Sequence, residues 1–315
     1  MEQIYSPEDA IKRRKEINVE RYTPRPEIRK IVTNPQGREQ EVVVRPYIEA
    51  PPAKEITGER FTKHLFISDL QNPDYNKQVF GAVIDFAKDY KPDVAHIVGD
   101  WMNFTAIGKY DVIEDYNVTL GEEIREGRKL LKFTADQIRS VNPEAKFKFY
   151  DGNHEHRLAR YLARDADKLK GLRDIYEEDP LTVPSLLGLR ELGIEHYKYT
   201  EIHREDSVIV EHGQIVRQKA GYTASGQLDK RGQSGYSGHS HRLAMISRNQ
   251  GGDVKFWVEC GSLCNLQPTP NYAVEPDWAN GFAIGIYDKE ENIMHPHAVL
   301  VQKNQFYVLG YGHYK

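Results

Sequence analysis

The chain has 315 residues, of which 39% are hydrophobic, and it carries a formal net charge of -4 at pH 7. This length suits one large domain or two modest ones, the charge excludes a protein that is basic over its whole surface, and the two cysteines, Cys260 and Cys264, are too few for a disulfide framework or a four-thiolate zinc site. The sequence has no apolar run of membrane-spanning length and no signal-peptide core within residues 1–19, so we expect a cytoplasmic protein that does not enter a membrane.

Residues 1–60 are predicted to form a basic N-terminal extension, because the range Lys12–Arg45 holds ten lysines and arginines against five acidic residues. Within it, Ile28–Thr33 and Glu41–Ile48 could form a β-hairpin around an Asn-Pro-Gln-Gly turn. Ala50–Lys54 resembles a linker. The extension could guide a phosphate-rich ligand toward a site, or it could wrap the domain or contact another subunit, which is the more common role of such a segment.

Residues 61–315 are predicted to form a second domain in which strands and helices alternate. Apolar residues at helical spacing predict helices over Asn76–Tyr90 and Thr119–Val141. Another helix is expected at His156–Arg164, and a short one, begun by its proline, at Pro184–Leu192. This alternation predicts a sheet with a parallel core and helices on its faces.

The segment Gly213–Gly235 is basic and contains several glycines, so we predict a long loop beside the site. Strands are predicted at His64–Ser68, Val94–Val98, Lys146–Tyr150 and Ser207–Glu211, and in a strand-rich region after Val254 at Lys255–Glu259, Phe282–Tyr287, Ile293–Val301 and Gln305–Leu309. Pro296 indicates that the strand around it is an edge strand, because proline cannot donate a ladder hydrogen bond.

Polar side chains follow four of the predicted strands where each strand ends. These residues are Asp69, Asp100, Asn153 and His212. In an α/β sheet the carboxyl ends of the strands are the place where ligands bind. Further along the chain, His239 and His241 are two residues apart, which in an extended segment would direct both imidazoles to the same face. Oxygen and nitrogen donors from distant parts of the sequence are therefore expected to assemble a metal centre.

Five short motifs in this region resemble those of the calcineurin-like metallophosphoesterases, and they occur in the order of that family. They are Asp69-Leu70-Gln71, Gly99-Asp100-Trp101-Met102-Asn103, Gly152-Asn153-His154-Glu155, His212-Gly213 and Gly238-His239-Ser240-His241. The corresponding family patterns are D-x-H, G-D-x-x-N/D, G-N-H-E/D, H and G-H-x-H. Each motif is weak alone, but five in order are a strong signal. The resemblance implies an α/β fold, a four-layer αββα sandwich of two mixed β-sheets flanked by helices.

The resemblance also implies a role for individual residues. The implied metal ligands are Asp69, Gln71, Asp100, Asn153, His212, His239 and His241. Asp100 would bridge two divalent ions and is, with His154, a catalytic residue. His154 would stabilise the transition state or protonate the leaving oxygen. Asn103 and Arg157 would contact the phosphate, although Arg157 is equally consistent with a solvated helix residue.

Oxygen and nitrogen donors without thiolates favour Mn²⁺, with Fe, Ni, Zn or Mg as alternatives, over calcium. Two such ions, about 4 Å apart, would generate a bridging hydroxide and clamp the ester. The expected function is hydrolysis of phosphodiesters, as a phosphodiesterase or nuclease whose partner is a nucleotide or nucleic acid. The alternatives are a phosphomonoesterase or protein phosphatase, and a degenerate metal-binding scaffold without activity. The oligomeric state stays open.

One residue departs from the family pattern, because Gln71 stands where the family usually has a histidine. A glutamine oxygen is a weaker donor than imidazole for late first-row metals. The first metal could therefore be looser, or shifted toward a harder ion such as Mn²⁺ or Mg²⁺. The residues around Gln71, the segment Gly261–Cys264 and the basic extension look most like the phage-encoded branch of the family.

The remaining histidines and tryptophans are predicted to be structural. His64 and His96 lie inside predicted strands, where a satisfied interior or edge position is the usual role. The three tryptophans, Trp101, Trp257 and Trp278, are expected in the core, although Trp101 lies inside a site motif and could line a pocket.

Overall fold

The computed structural model describes residues 59–108, 118–169, 179–267 and 276–315, and the backbone of two strands closer to the N-terminus. The strands of this part of the chain are β1 (Ile28–Thr33), β2 (Glu39–Val44), β3 (Phe61–Ile67), β4 (Val94–Ile97), β5 (Lys146–Tyr150), β6 (Ile194–Tyr197), β7 (His203–Glu205), β8 (Val208–Glu211), β9 (Gly235–Ser237), β10 (Leu243–Gln250), β11 (Asp253–Cys260), β12 (Gly281–Asp288), β13 (Ile293–Leu300), β14 (Phe306–Val308) and β15 (Gly312–Tyr314). The helices are α1 (Lys77–Tyr90), α2 (Leu120–Arg139), α3 (Glu155–Arg164), α4 (Val183–Leu187) and α5 (Tyr222–Arg231).

The chain divides into two compact units, residues 1–56 and residues 57–315. In the first unit, β1 and β2 pair antiparallel, with Ile28 opposite Val44. The predicted turn between these strands, the predicted linker Ala50–Lys54 and most of the basic extension lie outside the described residues.

The second unit contains two mixed sheets. The larger sheet has the strand order β13-β12-β3-β4-β5-β6, in which β3 to β6 are parallel and β12 and β13 are antiparallel to their neighbours. The smaller sheet has the order β10-β11-β9-β8-β7, with parallel pairing from β11 to β8 and an antiparallel strand at each edge. The edge position predicted from Pro296 is confirmed, because β13 is the outer strand of the larger sheet.

Helices cover the outer face of each sheet, so the second unit has four layers. Helices α1 and α2 pack on the larger sheet, where Phe86 and Leu131 share one hydrophobic core with Leu65. Between the sheets lies a second core, in which the rings of Phe66 and Tyr236 stack with centroids 3.8 Å apart. Helix α5 packs on the smaller sheet. This layer order is the αββα sandwich expected from the sequence, and the fold class is confirmed.

The two long helices begin where their capping residues predict. The Asn76 side chain accepts a hydrogen bond from the backbone of Val79 at 3.2 Å and caps α1. Thr119 and Glu122 form a reciprocal capping box at the start of α2. The short helix α4 ends at Gly188, which has a φ of +68°, and this makes it shorter than predicted.

The prediction of a loop over Gly213–Gly235 is wrong, because α5 lies within this segment. The sequence predicts a helix only weakly there, because glycines flank the helix at both ends and one lies inside it. Tertiary packing stabilises it instead: Ala224 and Leu228 are buried against Trp257 of the smaller sheet. In addition, the carboxylate of Glu259 accepts hydrogen bonds from two backbone N–H groups in the first turn of α5.

Of the helices that the structure describes, none combines the length and the hydrophobicity that a membrane crossing requires.

Candidate metal centre

The carboxyl ends of five parallel strands, three in the larger sheet and two in the smaller one, bring the predicted ligands together. Asp69 follows β3, Asp100 follows β4, Asn153 follows β5, His212 follows β8, and His239 and His241 follow β9. Backbone hydrogen bonds join the first two of these loops directly, because the Asp69 N–H donates to the carbonyl of Gly99 at 3.1 Å. Side chains separated by up to 172 positions in the sequence therefore reach one place.

The donor atoms form two groups that share one carboxylate. Asp100, His212 and His239 have donor atoms within 4.8 Å of one another, and so do Asp69, Asp100 and His241. His212 Nε2 lies 3.3 Å from Asp100 Oδ2. Asp100 belongs to both groups, which is the arrangement that a carboxylate shared by two cations would require.

The two amide side chains predicted as ligands lie at the same groups. Asn153 Oδ1 is 3.2 Å from His212 Nε2. The amide nitrogen of Gln71 is 3.2 Å from Asp100 Oδ2 and 3.4 Å from His241 Nε2. A half-turn of this amide would present its oxygen to the group of Asp100 and His241. All seven residues predicted as ligands are thus within reach of the centre.

Five of these seven residues have a backbone in the left-handed region. The φ values are +52° at Asp69, +58° at Gln71, +50° at Asp100, +70° at His239 and +54° at His241. Residues other than glycine rarely adopt this backbone conformation. Such residues concentrate at functional sites, where the surrounding structure maintains the strain. The expectation of an extended segment at His239 and His241 is wrong. Left-handed backbone at both histidines, and not strand alternation, sets the direction of these two imidazoles.

Two glycines leave room for the carboxylates. A side chain at Gly152 would overlap Asp100, and one at Gly238 would overlap Ser68 and Asp69. Asp69 Oδ2 accepts hydrogen bonds from the Ser68 hydroxyl at 2.5 Å and from the His239 N–H at 2.9 Å. Its other oxygen, Oδ1, lies 3.1 Å from His241 Nε2.

Two of the histidines predicted as ligands are oriented by their second nitrogen. His212 Nδ1 lies 2.8 Å from the carbonyl of Val98, so this nitrogen carries the proton and Nε2 is free to face Asp100. His241 Nδ1 lies 3.7 Å from the thiol sulfur of Cys264, and its Nε2 faces Asp69. An outward hydrogen bond that fixes the ring is typical of metal-binding histidines.

The electrostatics of the centre depend on burial and on Asp100. Burial opposes ionisation of Asp100, yet the neighbouring His154, His212 and His239 hold the pKa of this carboxyl well below its usual range. For His212, burial acts to lower the pKa, but the Asp100 carboxylate has the opposite and larger effect and raises this pKa to about 9. Burial and the neighbouring His212 lower the pKa of His239 to about 4. The carboxylates are therefore the anionic, cation-attracting part of the centre.

Glu155 is a residue of the site that the sequence analysis did not single out. Its fully buried carboxylate accepts backbone hydrogen bonds from Asp100, Met102 and Gly152, each at 2.8 Å. Burial raises the pKa of Glu155 to about 8, and the amide hydrogen bonds act in the opposite direction. Glu155 ties the loop after β4 to the loop after β5. Its position at the end of the Gly-Asn-His-Glu motif is the signal that could have identified it.

His154 and Arg157 lie together at the edge of the donor groups. His154 Nδ1 is 2.9 Å from the carbonyl oxygen of Asn103, and its Nε2 is 2.9 Å from Arg157 Nη2. Burial lowers the pKa of His154 to about 4. The Asp100 carboxylate opposes this shift, and the Arg157 charge contributes to it. A neutral imidazole that donates from Nδ1 and accepts at Nε2 satisfies both contacts.

Asn103 contributes to this edge through its backbone. Its carbonyl accepts hydrogen bonds from Arg157 and His154, whereas its side-chain amide donates to Asp74 at 2.8 Å. The side chain predicted to contact phosphate is therefore engaged with another residue.

The prediction that all three tryptophans lie in the core is wrong for one of them. Trp101 and Trp257 are buried, and their indole N–H groups donate to Gly127 and Ser237. Trp278 is instead partly exposed and contacts His241, with ring centroids 4.5 Å apart. No sequence motif surrounds Trp278, so only the structure places it at the centre.

No family model matches the sequence, and no curated protein matches it. Among solved structures, Vacuolar Protein Sorting 29 from Cryptosporidium parvum has 10% identity and a TM-score of 0.41, and the match covers 79% of this chain and 95% of that chain. A single mutant of Vps29 from Entamoeba histolytica has 13% identity and a TM-score of 0.33, with coverage of 76% and 99%. TT1561 of Thermus thermophilus has 9% identity and a TM-score of 0.32, with coverage of 75% and 98%. The four layers described above establish the fold class.

Proposed function

We propose that this chain is a metal-dependent phosphoesterase of the calcineurin-like metallophosphoesterase family and that it hydrolyses phosphodiesters of nucleotides or nucleic acids. The observation that carries the proposal is the pair of donor groups that share Asp100. The five motifs that resemble the family supply each residue of these groups.

The donor atoms fit divalent cations. Asp69 Oδ1 is buried and lies 3.1 Å from His241 Nε2 without hydrogen-bond geometry, so both atoms are available as ligands of one cation, which would compensate the buried charge. The carboxylate, imidazole and amide donors suit Mn²⁺ best, with Fe, Ni, Zn or Mg as alternatives. Asp69, Gln71 and His241 would hold one ion and Asn153, His212 and His239 the other, with Asp100 shared. When bound, such ions supply a nucleophile derived from water and positive charge for the phosphoryl oxygens.

The remaining residues orient the substrate and handle its proton. Arg157 presents a guanidinium at the edge of the donor groups, where it can bind a phosphoryl oxygen in two-point geometry. When a phosphoryl group binds this guanidinium, Arg157 no longer donates to Nε2 of His154, and this nitrogen becomes accessible to the substrate. The negative charge of the substrate then favours the protonated imidazole, which can donate to the leaving oxygen.

Hydrolysis of a chromogenic diester and monoester tests the proposal. With Mn²⁺ added, we expect faster turnover of bis(4-nitrophenyl) phosphate than of 4-nitrophenyl phosphate, and no turnover after chelation of the metal. The variant His154→Ala should lower kcat by roughly 10²- to 10⁴-fold, as expected for loss of a general acid. His313→Ala is the matched control, because His313 is exposed on β15.

Each contrary outcome has a definite meaning. Faster turnover of the monoester would favour a phosphomonoesterase or protein phosphatase. Calorimetric binding of Mn²⁺ without turnover of either ester would favour a metal-binding scaffold. Equal activity of His154→Ala and the wild type would contradict the role of the imidazole.

A further inference from the structure

Each donor group of the metal centre has an aromatic ring beside it. The ring centroid of Trp278 lies 4.5 Å from that of His241, and the ring centroid of Tyr199 lies 6.3 Å from that of His212. Both aromatic side chains are partly exposed. Since His241 and His212 belong to different donor groups, the two rings flank the centre at different ligands.

These rings differ from the aromatic residues that build the fold. Trp101 and Trp257 are 1% and 0% exposed, and each indole N–H donates a hydrogen bond inside the protein. Neither Trp278 nor Tyr199 belongs to the hydrophobic cores that the structure describes. A partly exposed ring at the rim of a polar centre adds little to folding and leaves an apolar face available to a ligand.

A guanidinium lies at the same centre as the two rings. Tyr199 also contacts His156 of α3, with ring centroids 5.5 Å apart. The next residue, Arg157, places its guanidinium at the edge of the donor groups. Aromatic faces combined with positive charge are typical of proteins that bind single-stranded nucleic acid, in which bases stack on rings while cationic groups contact the backbone.

The chemistry of the substrate follows from this arrangement. A phosphodiester bound at the shared carboxylate extends one organic group on each side of the phosphorus. A nucleobase has a π-face that stacks on an aromatic ring, whereas the organic groups of a glycerol diester or a phosphorylated serine have none. We infer that Trp278 and Tyr199 are specificity-determining residues that select phosphodiesters carrying a nucleobase on each side, as in single-stranded nucleic acid or a dinucleotide. This inference rests on the proposed phosphodiesterase function.

Two chromogenic diesters with the same leaving group test the inference. Thymidine 5′-(4-nitrophenyl phosphate) carries one nucleobase, and methyl 4-nitrophenyl phosphate carries none. We expect wild-type kcat/KM to be at least about tenfold higher for the thymidine ester. Trp278→Ala or Tyr199→Ala should reduce that preference, because loss of one stacking ring weakens binding about five- to hundredfold. The loss should appear in KM for the thymidine ester, and kcat/KM for the methyl ester should fall by a clearly smaller factor.

Conservative and control variants separate stacking from packing. Trp278→Phe should keep most of the preference, because it keeps an aromatic face. Tyr307→Ala removes a tyrosine that is exposed on β14, and it should change nothing. An equal fall of kcat/KM for both esters in Trp278→Ala would show that the indole only packs against His241. A wild type without preference would overturn the inference directly.

A binding measurement keeps the inference distinguishable from the proposed function. In the Mn²⁺-loaded His154→Ala protein, we expect a short single-stranded oligothymidylate to quench the fluorescence of Trp278, and we expect Trp278→Phe in this background to abolish the quenching. Quenching without hydrolysis by the wild type would leave the rings as a nucleobase site and overturn the phosphoesterase proposal. Hydrolysis of both esters without preference or quenching would leave the phosphoesterase and overturn the inference. Absence of both would overturn both.

Discussion

In the described part of the chain, the larger sheet is joined to the smaller one by two clusters of histidines and carboxylates that differ in geometry, and one of them has the convergent donor atoms that a metal centre requires. The second cluster, which we call the inter-sheet chain, consists of Asp206, His64, His96 and Tyr150. Its contacts run in series: His64 Nε2 to Asp206 Oδ2 at 2.9 Å, His64 Nδ1 to His96 Nε2 at 3.0 Å, and His96 Nδ1 to the Tyr150 hydroxyl at 3.1 Å. Both imidazoles are buried, as expected for structural histidines.

The difference lies in where the nitrogen atoms point. In the inter-sheet chain the imidazole nitrogens face each other, the Tyr150 hydroxyl and Asp206, and donation in a single direction, from Tyr150 through the histidines to Asp206, is compatible with all three contacts. At the metal centre, the Nδ1 atoms of His212 and His241 face outward and their Nε2 atoms face carboxylates. Burial and residue type are similar in both places. A histidine cluster can bind a cation only when its nitrogen lone pairs point to one place. Lone pairs that accept hydrogen bonds from neighbouring side chains cannot do so.

Replacement of Asp100, the carboxylate shared by both donor groups, should have the largest effect on activity among the changes that test the contrast between the two clusters. Asp100→Asn keeps the shape but removes the negative charge common to both donor groups. We expect kcat/KM for bis(4-nitrophenyl) phosphate with Mn²⁺ to fall by roughly 10³-fold, since the charge stabilisation of a reacting phosphoryl group is lost. Asp136→Asn is the control, because Asp136 is an exposed partner of Lys132 on α2. Equal activity of both variants would contradict the bridging position.

Loss of the buried carboxylate behind the centre should have a smaller effect on metal binding. Glu155→Gln replaces an acceptor of three backbone N–H groups by an amide with one acceptor oxygen, so the loops after β4 and β5 lose part of their connection. We expect Mn²⁺ affinity, measured by competition with a chelator, to fall about 10- to 100-fold, as is usual for residues that support metal ligands. Glu191→Gln, at an exposed ion pair with Arg128, should leave the affinity unchanged.

A change in the inter-sheet chain should affect stability and leave metal affinity intact. His96→Phe preserves stacking on Phe66, whose ring centroid is 4.5 Å away, but leaves His64 and Tyr150 without their shared partner. We expect the free energy of unfolding to fall by about 1–3 kcal/mol at pH 7.5, the usual cost of an unpaired buried polar group. Urea denaturation measures this change, with the exposed His313→Phe as control. A fall in Mn²⁺ affinity of the folded protein would contradict the separation of the two clusters.

The same variant should alter the pH dependence of stability. Burial first, and then the neighbouring His64, lower the pKa of His96 well below its ordinary value. The unfolded chain therefore binds a proton below about pH 6.5 that the folded chain does not, so the stability contributed by neutral His96 is present above that pH and lost as pH falls. Between pH 7 and pH 5, the unfolding free energy of the wild type should decrease more steeply than that of His96→Phe. Parallel slopes would contradict this account.

The smallest expected effect is a gain at the metal centre. Gln71→His places an imidazole beside Asp100 and His241, where the resembling family has one. We expect Zn²⁺ affinity to rise by no more than about tenfold and Mn²⁺ affinity to change less, because nitrogen donors favour the later metal. Isothermal titration with each ion measures both affinities. An unchanged preference between the two ions would indicate that residue 71 does not contact the cation.

Much of the fold could be predicted because local chemistry and tertiary packing agree there. Asn76 and the pair Thr119 and Glu122 cap helices through contacts within three residues of sequence, and apolar periodicity indicates which face is buried. Helix α5 could not be predicted, since its glycines oppose helix formation and its stability comes from Trp257 and Glu259 of the smaller sheet.

The sequence by itself determined the identity and order of the donor residues, because the motifs are short and four of the five follow a strand with a readable pattern. Only the tertiary structure decided how these residues point: the left-handed backbone at His239 and His241, the support from Glu155, and the position of Trp278 beside the centre. The physical reason is that a side chain's direction depends on contacts with residues far away in the chain. Residue types can be read along the sequence, whereas the convergence of their lone pairs exists only once both sheets are packed.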